Sequence, residues 1–185
     1  MQSIASLSRE HGAIASLLGR FEEALEAAER GEPDIQALER LLDFLEERVD
    51  GQHQEKEERV FLPRLLTRAR GPDVERVRSA LAEHVEQRER LVELRCCVQG
   101  LDWNRPAACT ALVELGRRYL ARQRLHAAWE DAVVLPLAAN VLTTRDDRAI
   151  RNGFRHLDET WHGPLEEAVR RLLLWLDARS PVLIG

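Results

Sequence analysis

Aromatic residues make up only 5% of this chain, and no run of about 18 apolar residues occurs in it, which excludes a membrane-spanning helix. Positive charge is not in excess either. Lys+Arg number 27 against Asp+Glu 32, for a net charge of −5, and the two signs are interspersed. A nucleic-acid or membrane surface needs a basic face, so neither is expected as a partner. Cysteine is scarce: Cys96, Cys97 and Cys109 form an odd set with an adjacent pair, unlike a disulfide framework. The first residues, MQSIASLS, lack a charged stretch followed by an apolar one, so no secretory signal is visible and the cytoplasm is the expected compartment. Phosphate-cradling glycine loops, dinucleotide fingerprints and nucleophile elbows are also missing.

What the 185 residues do contain is Leu, Ala, Glu and Arg in quantity, all strong helix formers. Apolar positions step by three or four nearly everywhere. A first segment carries Ile4, Leu7, His11, Ile14, Leu18, Phe21 and Leu25 and stops near Gly31 and Pro33. A second opens at Asp34 as N-cap and carries Leu38, Leu42, Leu45, Val49, His53, Glu57 and Phe61. After the breaker Gly71-Pro72, a third carries Val77, Leu81, His84 and Leu91. The stretch 100–106 is a loop, and a fourth segment follows with Leu112, Leu115, Tyr119, His126, Glu130, Val133 and Leu137. Asp146 or Asp147 is the expected cap of a fifth, with Ile150, Phe154, Leu157, Trp161, Leu165, Leu172 and Leu176, kinked or restarted at Gly163-Pro164. Short connections imply antiparallel neighbours. The expected fold is therefore all-α: an up-down-up-down four-helix bundle over residues 1–142, with a C-terminal helical extension, 143–185, packing on it.

Two stretches look like copies of one another. His53-Gln-Glu-Lys-Glu57 continues to Leu62-Pro63, and His126-Ala-Ala-Trp-Glu130 continues to Leu135-Pro136. Upstream of each lies one more histidine on an apolar stripe, His11 and His84. The register is constant: 53 − 11 and 126 − 84 are both 42, while 84 − 11, 126 − 53 and 130 − 57 are all 73. Residues four apart share a helix face, so each His-Glu pair points inward with its stripe. A single histidine on such a stripe is more often a satisfied core residue, and a single H-x-x-x-E means little. Two copies in register, each with its own upstream histidine, are another matter. Buried carboxylates are costly unless paired or bound to metal, and two of them among four imidazoles suit a dimetal site. The absence of thiolate at these positions disfavours an iron–sulfur centre.

This pattern of H…H-x-x-x-E twice over, each copy closed by Leu-Pro, resembles the hemerythrin-like family (the HHE cation-binding domain) across about residues 5–140. The resemblance implies a four-helix bundle around a non-haem di-iron centre. His11 and His53 would bind one iron, His84 and His126 the other. Glu57 and Glu130 would bridge them, with an oxo or hydroxo group as third bridge. Five ligands per iron leave one open position on each. The oxygen-carrying members have a further histidine one turn after the third-helix ligand; here that position is Arg88, and Gln87 beside it is no imidazole either. The implied chemistry is thus redox chemistry on oxygen, peroxide or nitric oxide in a stress or repair setting, rather than reversible oxygen transport. A non-catalytic iron or redox sensor, or an iron-handling module, is the alternative. A hydrolytic dizinc or dimanganese site is disfavoured.

Several other residues invite comparison. His156 and His162 are six apart, share no helical face and are expected at the surface. Glu55, Glu58 and Asp131 flank the ligands and are candidates to accept the other N–H of a ligating histidine. Tyr119 lies two turns before His126 on the same face. Lys56 stands where the second copy has Trp129, so the halves differ beside a ligand glutamate. Inert thiols are expected. The fifth segment, with Trp161 and Trp175, suits a cover for the bundle better than a homodimer surface.

Overall fold

The structure is a computed structural model and describes residues 1–103 and 106–179. Asn104 and Arg105 of the expected 100–106 loop lie outside the described residues, as do residues 180–185 of the C-terminal extension. Among the described residues every element is helical, and none is long and apolar enough to cross a membrane.

Helix α1 is Gln2–Glu29. Helix α2 covers 35–68, built of Ile35–Phe44, Leu45–His53, Gln54–Lys56, Glu57–Phe61 and Leu62–Arg68 without a break. Helix α3 is Pro72–Gln99. Helix α4 covers 106–141, as Pro106–Trp129, Glu130–Val134 and Leu135–Val141. These four form the antiparallel bundle, with α1 and α3 both packed on α4. The expected fifth helix is divided into α5, Thr144–Thr160, and α6, Leu165–Asp177. The division falls at Gly163-Pro164, where His162 and Gly163 take positive φ of 58° and 125° and Pro164 restarts the chain. Helix α6 packs along α1, and α5 covers the other end of it.

Local chemistry explains most of the boundaries. The Asp34 carboxylate accepts the Ala37 N–H at 3.0 Å, so it is the N-cap expected. At α5 the expectation is corrected by one turn: the cap is Thr143, whose hydroxyl accepts the Asp146 N–H, while the Asp146 carboxylate reaches back to the Thr143 N–H at 3.0 Å. Asp146 is thus the closing member of a capping box rather than the cap itself. Asp147 instead accepts from the Ser3 N–H and hydroxyl at 3.0 and 2.6 Å, tying α5 to the first turn of α1.

Both copies contain the same widened turn. The Leu62 N–H bonds the Glu57 carbonyl and the Leu135 N–H bonds the Glu130 carbonyl, five residues back rather than four. The next residue in each case is Pro63 or Pro136, which has no N–H and crowds the carbonyl of the preceding turn, so the helix relaxes into a π turn. The extra residue moves the buried stripe on by one. In α4 the expected core positions Val133 and Leu137 are only half-buried, and Val134 and Ala138 take their place.

The apolar core has two parts. One, around Leu18, Phe21, Leu42, Leu94, Leu112 and Tyr119, occupies one end of the bundle. The other, around Leu7, Phe61, Leu65, Val77, Val134 and Ala138, occupies the other end. A layer of polar side chains separates them, and it contains every histidine of the repeated pattern.

Trp161, in the turn after α5, lies on Gly51 of α2. A Cβ at Gly51 would stand 2.9 Å from Trp161 Cη2, a clash with a rigid ring. Gly51→Val is therefore expected to destabilise the protein by about 1–3 kcal/mol through overpacking. Thermal melts check this, and in a Trp161→Ala background the same substitution should cost little further stability.

Candidate metal centre

Each of the four bundle helices sends side chains that could ligate a metal into this layer. His11 comes from α1, His53 and Glu57 from α2, His84 from α3, and His126 and Glu130 from α4. All six residues are at most 5% exposed. They form two overlapping groups, His11, His53, Glu57 and Glu130 in one, Glu57, His84, His126 and Glu130 in the other, with ligating atoms in each group within 4.8 Å of one another. The two glutamates are common to both. His53 Nε2 lies 3.5 Å from Glu57 Oε2, and His126 Nε2 lies 3.4 Å from Glu130 Oε2, as four-residue spacing on one face requires. Across the bundle, His11 Nε2 is 3.3 Å from Glu130 and His84 Nε2 is 3.3 Å from Glu57.

All four rings are oriented by the same device. His53 Nδ1–H donates to Glu10 at 2.8 Å, His126 to Glu83 at 2.9 Å, His11 to Asp131 at 2.9 Å and His84 to Glu58 at 3.0 Å. A carboxylate only accepts, so in the neutral ring the proton sits on Nδ1 and the Nε2 lone pair points into the layer. The acceptors obey the repeat as well, since 83 − 10 and 131 − 58 are both 73. Glu58 and Asp131 were expected among the flanking acids. Glu10 and Glu83 were not, although the constant offset between the copies was the signal that could have found them. Glu55 turns away and accepts from Trp161 Nε1 at 2.9 Å.

Four of the inner atoms lack partners in the protein. His11 Nε2, Glu57 Oε2 and both Glu130 oxygens are buried without a hydrogen bond. His84 Nε2 and His126 Nε2 are 3.0 Å apart, and with both Nδ1 atoms protonated their lone pairs would face each other. A cation among these atoms resolves both problems. Bonds of about 2.1 Å to one ion place neighbouring donors about 3 Å apart, near the separations found here. The donor set of imidazole and carboxylate, free of thiolate, suits iron, manganese or zinc. The residues fit a metal pair.

In the absence of metal, protons are held instead. Burial would lower the His11 pKa, but the Glu130 and Glu57 carboxylates outweigh it and push the imidazole up to about 11. His84 behaves alike: burial is outweighed by Glu57 and Glu58, and its pKa rises to about 10. Burial alone would raise Glu57, yet the surrounding histidines hold its carboxyl well below the usual range.

The family model of the hemerythrin HHE cation binding domain matches residues 2–138, which span the four bundle helices and all six inward-facing side chains. The chain belongs to this family. No curated protein and no solved structure matches it. As a hemerythrin-family member it carries, in the fifth-histidine position, Arg88, whose guanidinium donates to Glu58 and to Gln54, both at 2.7 Å. Arg88 thus supports the acceptor of His84 rather than ending free at the surface. Gln54 in turn donates to Gln87 at 2.8 Å. A surface cleft lined by Asp50, Gly51, Arg88 and Leu91 opens beside these residues. Burial pushes the Asp50 carboxyl there up to about 7.

The remaining candidates stand away from the centre. His156 and His162 are exposed and belong to neither metal-type group. Tyr119 is fully buried, with its hydroxyl accepting from Gln123 at 3.0 Å and its ring edge-on to Phe21. Burial holds its hydroxyl well above the usual pKa, so it stays a neutral phenol. The three cysteines are free thiols; Cys109 is buried as expected of an inert one, whereas Cys96 is exposed.

Proposed function

We propose that this hemerythrin-family protein holds two iron ions, one with His11 and His53 and one with His84 and His126, with Glu57 and Glu130 shared, and uses them on small oxidants. Oxygen, peroxide and nitric oxide are the candidate ligands, in a redox or stress response in the cytoplasm. The observation that carries the proposal is that His11 Nε2, Glu57 Oε2 and both Glu130 oxygens are buried with no partner in the protein, while every Nδ1 has one. Iron held there would bind a small ligand and exchange electrons with it. The protein's own part is to orient four neutral imidazoles, balance charge with two carboxylates and keep bulk water out with apolar layers above and below. The cleft at Asp50 and Arg88 is the approach we assign to the small ligand. In this reading residues 1–142 form the metal-holding unit and the extension that begins at 143 closes one side of it.

Metal counting on protein from iron-supplemented cells tests the proposal. Two irons per chain, lost in His53→Ala/His126→Ala, are expected; no stoichiometric metal in the wild type overturns it. A sensor role has one observation in its favour: His53 is linked through Glu10, Lys56, Asp158 and Gln52 to the turn after α5. Repeated turnover of peroxide or nitric oxide by the reduced protein favours the redox catalyst, and a single change of state favours the sensor.

A further inference from the structure

The two halves of the centre differ in what lies behind the histidine acceptors. Glu10, which accepts from His53, has its other oxygen 2.5 Å from Lys56 Nζ. Lys56 is 1% exposed, and its Nζ also lies 2.6 Å from Asp158 Oδ1 and 5.7 Å from the centre of the Phe154 ring. A buried ammonium is costly unless it is paired and hydrogen-bonded, and this one has two carboxylates. From Asp158 the chain of contacts continues. Gln52 Nε2 donates to Asp158 at 2.8 Å and to the Gly163 carbonyl at 2.9 Å, in the turn between α5 and α6. The equivalent residue in the second copy is Trp129, packed among apolar side chains, and among the described residues the ion pairs of Glu83 stop at His126. The other guanidinium or ammonium behind a histidine acceptor is that of Arg88, beside Glu58. That pair is 38% and 28% exposed, so water screens it as it does not screen Lys56.

We infer that Lys56 is a positioning residue that raises the reduction potential of the iron held by His11 and His53 above that of its neighbour, acting through Glu10. The inference rests on the di-iron reading above. Two effects of the ammonium act in one direction. A fixed positive charge in a low-dielectric core favours the less positive, ferrous state. By drawing the charge of Glu10 to itself, Lys56 also weakens the pull of that carboxylate on His53 Nδ1–H and leaves His53 a poorer electron donor. Asp158 opposes both effects and links them to the position of α5. The step is a one-electron reduction of ferric to ferrous iron, with the electron supplied by added dithionite and no bond in the protein made or broken.

The test is a potentiometric titration of iron-loaded protein, followed by Mössbauer spectroscopy so that the two irons are seen separately. In the wild type one iron is reduced first. In Lys56→Met the ferric-to-ferrous ratio of that iron at a fixed potential should rise about tenfold or more, equivalent to about 59 mV, with the other iron little changed. Lys56→Arg should stay near the wild type. Asp158→Asn should move the same iron the opposite way, and it carries the test if Lys56→Met does not fold. A lower Tm with both potentials unmoved makes Lys56 merely structural and overturns the inference; equal shifts of both irons overturn its one-sided assignment. Failure of the di-iron reading shows separately, as a wild-type protein without two irons.

Discussion

Stripping the metal is expected to lower the Tm by about 8–16 °C at neutral pH. A ligand present at about a thousand times its Kd stabilises the native state by about 4 kcal/mol. For a chain of this size each kcal/mol is worth about 2–4 °C. The pH dependence should then have opposite signs in the two forms. In the metal-free protein His11 and His84 titrate near 11 and 10, against an unfolded value of about 6.5. Between the unfolded and folded values the native state binds more protons than the unfolded one, so stability falls as pH rises from about 6.5 towards 10. Metal binding must displace those same protons, so affinity climbs about tenfold per pH unit for each proton released. Calorimetric melts of stripped and loaded protein at pH 6.5 and 8.5 check both slopes. A stripped protein that becomes more stable over this interval would show that the histidines are not held protonated by Glu57 and Glu130.

The reason so much of this site was legible is that its geometry is repeated. The offset of 73 selects His11 and His84, His53 and His126, and Glu57 and Glu130 together, and helical spacing alone turns each pair inward. The same periodicity marks Leu38, Leu42, Leu45 and Val49 as core, and all four are at most 1% exposed. Other features do not show in a stripe. Glu10 and Glu83 immediately precede His11 and His84, at positions that on an isolated helix face solvent; only the neighbouring helix makes them acceptors. Lys56 resembles any surface lysine until α5 closes over it and brings Asp158 within 2.6 Å. The π turns after Glu57 and Glu130 go with the Leu-Pro endings, but their effect is a shift of one residue in register, which period-based reasoning past Glu130 cannot anticipate. The π stretch Leu45–His53 has no such proline. Thr143 and Asp146 are both good capping residues, and only the reciprocal hydrogen bonds decide between them.

Glu57→Gln is expected to abolish binding of both ions, whereas His53→Ala should leave about one. The difference follows from where the side chains lie. Glu57 belongs to both ligand groups, and His53 to one of them. Replacing His53 removes a neutral donor from one side of the layer and leaves the carboxylates intact. Replacing Glu57 removes one of only two negative charges set directly among the four imidazoles, and cations held away from water without that balance are costly. The substitution should also be felt without metal. Glu57 helps raise both His11 and His84, so in Glu57→Gln their pKa values fall towards 6.5 and the loss of stability between about pH 6.5 and 10 flattens. Metal per chain and the melts of the stripped variants measure the two consequences independently. If Glu57→Gln kept one ion as His53→Ala does, the two ions would occupy separate sites and the shared carboxylate would have to be given up. If it lost both while the metal-free slope flattened, the same side chain would account for the coupling of the two ions and for the protons they displace.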